Sequence, residues 1–474
     1  MIKTISGMCR AVAVIGVSTA LIGCAGMSKN ESKYAVAEYA AGNYASAAKT
    51  LEQDLGFYSE DGALLDVQPI EGATLMQLEV AELWRLSGEY ARAISHYDAV
   101  ESLYKDKDTE GLGMTAAENI GAVLVNDSVM SYESTPVERV LTNYYKALSF
   151  WAQGDMSNAR VEFNRAAERA QRALDRYAKK IEDAQQEAAE DGKKESDREA
   201  AFAGGGSSSQ VLSKYFPDMA DTSLYQDFEN PATQYINALY YAAMGETSRA
   251  RDTMRQARVK IGEHPVVDED LLNLERNKSL TGGGRYVWVL VEAGRSAKLE
   301  EMRIDIPWPS PNGSIMVISL AVPVIEDTPL EFNPSAFTLN GASLEFSPIS
   351  DSSKLIKTEL SKRFPAILTR AIVSATTKAL IQQKAAEQNT WAGLAATVYS
   401  AFSTGADTRM WEMVPNQWLL AKAALPDDAE LEIQFGSEQM QDVEEVSLAR
   451  GASWLVVVKQ PTPAAQPAIN LFKL

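Results

Sequence analysis

Polar and apolar positions alternate in two different ways along this chain. Between residues 31 and 275 apolar side chains return every three or four positions in runs rich in Ala, Leu, Glu, Arg and Tyr, with few prolines, which is the period of amphipathic helices. Near residue 280 the pattern changes. The triplet Gly282-Gly283-Gly284 leads into Tyr286-Val287-Trp288-Val289-Leu290-Val291, the pattern of a buried strand. Further strand candidates follow at 301–306, 314–322, 335–346, 418–425, 431–435 and 454–458, punctuated by Pro and Gly. Residues 354–402 revert to a helical pattern between those strands. The expected fold is therefore α+β and multidomain: a helical repeat region at 31–275, then a mainly β, sandwich-like domain at 280–474 carrying a helical hairpin at 354–402.

One short pattern recurs four times in the helical region. It reads Gly42-Asn43-Tyr44-Ala45-Ser46-Ala47, Gly88-Glu89-Tyr90-Ala91-Arg92-Ala93, Gly154-Asp155-Met156-Ser157-Asn158-Ala159 and Gly245-Glu246-Thr247-Ser248-Arg249-Ala250. Apolar runs such as 81–86, 144–152 and 235–244 precede the turns, and runs such as 94–103 and 161–173 follow them, so each unit predicts helix, turn, helix. The Gly takes the positive φ that ends one helix, the polar residue starts the next at its positive dipole end, and the Ala admits close approach of the pair. The pattern resembles the inter-helix segment of the tetratricopeptide repeat. Its copies are unequally spaced, whereas that family repeats about every 34 residues, so the array is expected to be interrupted. Individually these residues cap and pack helices; as an array they would present a surface to peptide or protein.

From Asn158 to about Ala203 little breaks the helical pattern, which predicts one long helix ending at Gly204-Gly205-Gly206-Ser207-Ser208-Ser209. The charged stretch and Gly/Ser loop at 182–215 suit a solvated arm or, alternatively, a coiled-coil contact with a partner. Within 354–402 the charges of Lys378, Lys384 and Glu387 argue against a membrane span, leaving a hairpin packed on the sheet or docked on a membrane or partner.

The first residues carry a different signal. Lys3 and Arg10 precede an apolar stretch of about a dozen residues, shorter than the roughly 20 that span a bilayer, and the stretch ends in Leu21-Ile22-Gly23-Cys24. That tetrapeptide resembles the lipobox of bacterial lipoproteins, which implies a signal peptide at 1–23, lipid on Cys24 and a tether at 24–30. Several acyl chains on one residue anchor durably, where one chain binds only marginally. Ala25 follows the cysteine, and the resemblance then implies the outer membrane, facing the periplasm. The other cysteine, Cys9, lies in the segment to be removed, so no disulfide is expected in the mature chain.

With 45 Lys and Arg against 64 Asp and Glu the net charge is −19, which makes nucleic acid a poor partner. The two histidines, His96 and His264, fall in unrelated units far from either cysteine, and no zinc pattern is present. No Gly-x-Ser-x-Gly elbow occurs, and neither glycine triplet is followed by the Lys-Ser/Thr of a phosphate loop. No enzyme activity, cofactor or metal is expected. One mixed cluster stands out at the exit of the helical insertion, Gly405-Ala406-Asp407-Thr408-Arg409-Met410-Trp411. Asp407 can cap or accept from the backbone, Arg409 pair with it or with another acid, and Trp411 pack on the sheet, or Asp407, Arg409 and Trp411 can meet a ligand or partner.

Tyr144-Tyr145-x-Ala147-Leu148, Gly154-Asp155, Ala159-Arg160-Val161-Glu162-Phe163-x-Arg165-Ala166, Arg363-Phe364-Pro365-Ala366-Ile367 and Ala406-Asp407-Thr408-Arg409-x-Trp411 with Pro415 together span most of the mature chain. They resemble a family of proteobacterial lipoproteins with a tetratricopeptide-like N-terminal region and a C-terminal β-domain. The resemblance implies no reaction and no catalytic residue, and it points to a cell-wall context. The expected function is a lipid-anchored periplasmic scaffold or adaptor that binds other envelope proteins through the repeat surface; the alternative is an envelope carrier of lipid or glycan.

Overall fold

The computed structural model describes residues 34–59, 61–110, 132–191, 225, 228–276, 279–281, 283–309, 315–364, 367, 405–437 and 440–474. Helices come first and strands after. In chain order the helices are α1 (34–41), α2 (Tyr44–Asp54), α3 (Thr74–Leu86), α4 (Tyr90–Glu110), α5 (Pro136–Ala152), α6 (Met156–Asp191), α7 (Pro231–Ala243), α8 (Thr247–Ile261) and α9 (Pro265–Glu275). The strands are β1 (Tyr286–Ala293), β2 (Lys298–Pro309), β3 (Ile315–Glu326), β4 (Phe337–Leu339), β5 (Ala342–Ser343) and β6 (Ser347–Asp351), then β7 (Gln417–Ala424), β8 (Ala429–Ser437), β9 (Met440–Leu448), β10 (Trp454–Gln460) and β11 (Ala468–Lys473). Helix α10 (352–364) follows β6 directly.

Local chemistry fixes the helix ends. At Gly42, Gly88, Gly154 and Gly245 φ is +84°, +82°, +79° and +74°. At Gly42 the glycine N–H bonds back to Tyr39 O and the next N–H to Glu38 O, and the other three turns repeat this closure of the orphan carbonyls. The alanines five residues on, Ala47, Ala93, Ala159 and Ala250, are fully buried. Helix α5 starts at a capping box in which Thr135 and Glu138 exchange hydrogen bonds, with Pro136 in its first turn. Asn230 caps α7 by accepting from the Ala232 N–H and His264 caps α9 by accepting from the Val267 N–H, each followed by a proline.

The strands form a five-stranded sheet in the order β11-β10-β1-β7-β6, a four-stranded sheet β5-β4-β8-β9, and the separate hairpin β2-β3. Only β1 and β10 pair in parallel within the larger sheet. Alternation along β1 sends its two sets of side chains to two cores. Val287, Val289, Val291 and Ala293 join Phe337, Leu339, Leu431, Ile433, Val446 and Leu448 from the smaller sheet. Trp288 and Leu290, with Trp418, Leu420, Leu455, Val457 and Phe472, join the helices instead. The larger sheet is thus the middle of three layers, and one continuous hydrophobic cluster runs from Ala35 in α1 to Phe472 in β11.

Several elements differ from the sequence expectation. The 335–346 candidate breaks into a 3-10 turn and two short strands. Strands β6, β9 and β11 carry little periodic signal: β9 reads Met-Gln-Asp-Val-Glu-Glu-Val-Ser-Leu and is mostly exposed. Helix α6 runs to Asp191; the rest of the expected arm, with the Gly/Ser loop through 215, lies outside the described residues, as do the signal peptide, Cys24 and all of 368–402. No helix among the described residues is long and apolar enough to cross a membrane.

Candidate functional site

The N-terminus of α5 is where helices, sheet and the 405–414 segment meet. Beside it lies a cleft of about 270 Å³ whose cationic lining is Lys105 of α4, Arg139 of α5, Arg165, Arg169 and Arg172 of α6, and Arg363 of α10. Three carboxylates, Glu101, Glu133 and Glu168, share that lining, so cations outnumber anions two to one on a chain of net charge −19. Arg165, Arg169 and Arg172 occupy i, i+4 and i+7 of α6, which sets them in a row along one face.

Carboxylates hold this row in place from below. Glu101 accepts from Arg169 Nη2 at 2.7 Å and also pairs with Lys146, while Arg165 Nη1 sits 2.6 Å from Glu162 Oε1. Burial opposes ionisation of Glu101, and the charges of Lys146 and Arg169 overcome it, holding its carboxyl below the usual range. The partners on the cleft's outer side are looser. Arg139 Nη2 lies 3.5 Å from Glu133, which is 67% exposed, and Arg172 pairs with Glu168 at 2.9 Å with both side chains well exposed. The ring of Tyr104 lies between Arg139 and Arg169, whose guanidinium carbons sit 4.7 and 5.1 Å from its centroid. Burial pushes the Tyr104 hydroxyl up to about 12, so the ring stays neutral.

Thr135 and Arg363 also line a small apolar chamber of about 40 Å³ with Leu299, Leu355, Met410 and Trp411. Fully buried Glu138 borders it. Its carboxylate accepts from Tyr132 Oη at 2.6 Å, from the Thr135 N–H at 2.9 Å and from the Trp411 N–H at 2.8 Å. Burial pushes its pKa to about 7, with the nearby Glu359 charge adding to the rise, against those hydrogen bonds. Glu359 in turn accepts from Arg363 at 2.9 Å and from the Val137 N–H at 3.3 Å.

The cluster singled out at 405–411 belongs to this junction. Asp407 accepts from the Arg409 backbone N–H at 3.0 Å and from its guanidinium at 2.8 Å, and Arg409 lies 5.6 Å from the Tyr132 ring. Trp411 stands edge-on to Tyr145, 5.7 Å between centroids, within the core. The repeat turns do not gather at one site. Tyr44 donates to Gln466 O at 2.8 Å and Tyr90 Oη accepts from Asn470 at 2.7 Å, so these two turns grip the β10–β11 loop and β11 respectively. Asp155 caps its own turn by accepting from the Asn158 N–H. His96 contacts Glu52 at 2.8 Å, far from the capping His264.

The cleft itself was not assembled from sequence, because its cations come from four segments. The spacing of Arg165, Arg169 and Arg172 was the one available signal. Among the described residues no group of three His, Cys, Asp or Glu is placed to hold a metal ion. Compared with known proteins, the chain matches no protein-family model, no curated protein and no solved structure.

Proposed function

We propose that this protein is a lipid-anchored, noncatalytic adaptor on the periplasmic face of the outer membrane, binding other envelope proteins. The observation that carries the reading is the arginine-lined cleft at the base of α5, built into a rigid frame of helices and sheet. Guanidinium groups in a preset row recognise oxyanions by charge and by planar, bidentate geometry, and no proton transfer or nucleophile is needed for that task. The lipobox-like Cys24 supplies the anchor and the four glycine-turn hairpins supply a tetratricopeptide-like frame, in keeping with the proteobacterial lipoprotein resemblance.

Affinity capture from crosslinked envelopes tests the reading. A reproducible protein partner, recovered with the wild-type chain and dependent on membrane attachment through Cys24, is the expected result. Recovery of none, together with a co-purifying lipid or glycan detected by native mass spectrometry, would favour the carrier reading instead.

A further inference from the structure

We infer that the cleft lined by Lys105, Arg139, Arg165, Arg169, Arg172 and Arg363 is a receptor for an acidic, extended segment of a partner protein, its Asp and Glu side chains pairing with the arginine row of α6. The inference rests on the adaptor reading and names what the adaptor grips. Three properties of the cleft select this occupant.

The first is the layout of charge. From Arg165 to Arg172 the row extends roughly 10 Å along the helix at 1.5 Å per residue. In an extended peptide, side chains two residues apart point the same way at a separation of roughly 7 Å, so two carboxylates of an acidic segment fit within the length of the row. A single phosphate calls for convergent donors, and this row is spread out. The second is volume. About 270 Å³ is below the roughly 300–1,000 Å³ of pockets that enclose a small ligand, and it suits a few side chains of a segment lying across it.

The third is exchangeable pairing. A guanidinium carries five N–H donors, and one carboxylate engages two at most. Arg172 and Glu168, at 71% and 59% exposure, form a solvated pair that contributes little, so an incoming carboxylate can take the place of Glu168 at small cost. Glu101 and Glu162 are buried and stay, fixing Arg169 and Arg165 for the ligand. Elsewhere the chain's excess of negative charge repels an acidic segment, which confines it to this cleft.

The test uses the purified protein and a fluorescently labelled peptide of eight alternating Glu and Asp residues, followed by anisotropy. Its Gln/Asn analogue, inorganic phosphate and an oligogalacturonate are run as competitors. Arg172→Glu, alone and with Arg165→Gln, changes the row at its exposed members; Arg255→Glu on α8 makes the same change of net charge as Arg172→Glu far from the cleft. The acidic peptide is expected to bind, with a Kd weakened at least tenfold by Arg172→Glu and less than twofold by Arg255→Glu, and the competitors are expected to displace it poorly. Absence of peptide binding, equal weakening by both charge reversals, or displacement by phosphate or oligogalacturonate at lower concentration than the peptide itself would overturn the inference. Envelope crosslinking separates the two levels. A partner captured equally by wild type and Arg172→Glu keeps the adaptor and removes the cleft; no partner from either removes the adaptor.

Discussion

The ammonium of Lys459 in β10 lies 3.2 Å from Oε1 of Glu82 in α3, across 377 residues of sequence. Around that contact Arg85 bonds Glu82 through Nε and Nη2, both at 2.7 Å, and donates to Asn470 of β11 at 2.9 Å, while Tyr97 donates to Glu82 at 2.9 Å. Glu292 of β1 sits 3.5 Å from Lys459 and 3.6 Å from Arg85. Burial opposes ionisation of Glu82, yet the charges of Arg85 and Lys459 and the hydrogen bonds win and hold its carboxyl at about 2. Two acids and two bases, all buried, thus join the helical layer to the central sheet.

Removing one member strands the others. Lys459→Met is expected to cost on the order of 3–5 kcal/mol in urea unfolding, since breaking a buried pair leaves an uncompensated charge. The double variant Lys459→Met with Glu292→Gln restores charge balance and should cost less than the sum of its two singles. Additive costs would show that the four groups do not act as one network. Because the Glu82 pKa is depressed, its stabilising contribution is present above the ordinary value of 4.5 and should fade as pH falls toward 2.

Glu138 has the opposite sign. Its pKa of about 7 in the fold exceeds the ordinary 4.5, so the folded chain keeps a proton that the unfolded chain releases. Stability should therefore drop as pH rises from 4.5 through 7 and level off above that. Measured as the difference between wild type and Glu138→Gln, the drop should be about 3 kcal/mol. A difference independent of pH across this window would contradict the buried, proton-holding state.

Two turns of the same sequence type should respond unequally to a methyl group. A Cβ on Gly88 meets nothing within 4 Å, so Gly88→Ala carries only the strain of its +82° φ, about 1–2 kcal/mol. A Cβ on Gly42 would lie 2.6 Å from the Gln466 backbone nitrogen. Gly42→Ala should accordingly lower stability clearly further and loosen the contact of the first hairpin with the 461–467 loop. Equal thermal shifts for the two variants would speak against that close approach.

These turns were legible in the sequence because a positive-φ glycine and a small alanine at fixed spacing leave a local trace. So did β1, whose run of Val, Trp and Leu is buried on both faces. Strands β9 and β11 were not legible: the first is a polar edge, and the second is a six-residue strand whose apolar positions gain meaning only beside β10. The junction at α5 was half visible. Asp407, Arg409 and Trp411 stood out by composition, but Glu138, which with Tyr132 ties that segment to the helices, and Glu359 read as ordinary residues of amphipathic helices. The cleft depends on segments distant in sequence, and only its row on α6 had a periodic signature.

The anchor has its own check. Substituting Cys24 with Ser should move the protein from the membrane pellet to the soluble periplasmic fraction; continued membrane association of that variant would require another means of attachment.

The adaptor account stands or falls on what touches the cleft in the cell. A photo-crosslinking amino acid placed at Arg172, 71% exposed at the cleft edge, and separately at Val259, 77% exposed on α8, reports this directly. A discrete adduct of defined mass with one envelope protein from position 172, absent from position 259, is the predicted result. No adduct at 172, or the same products from both positions, would contradict it.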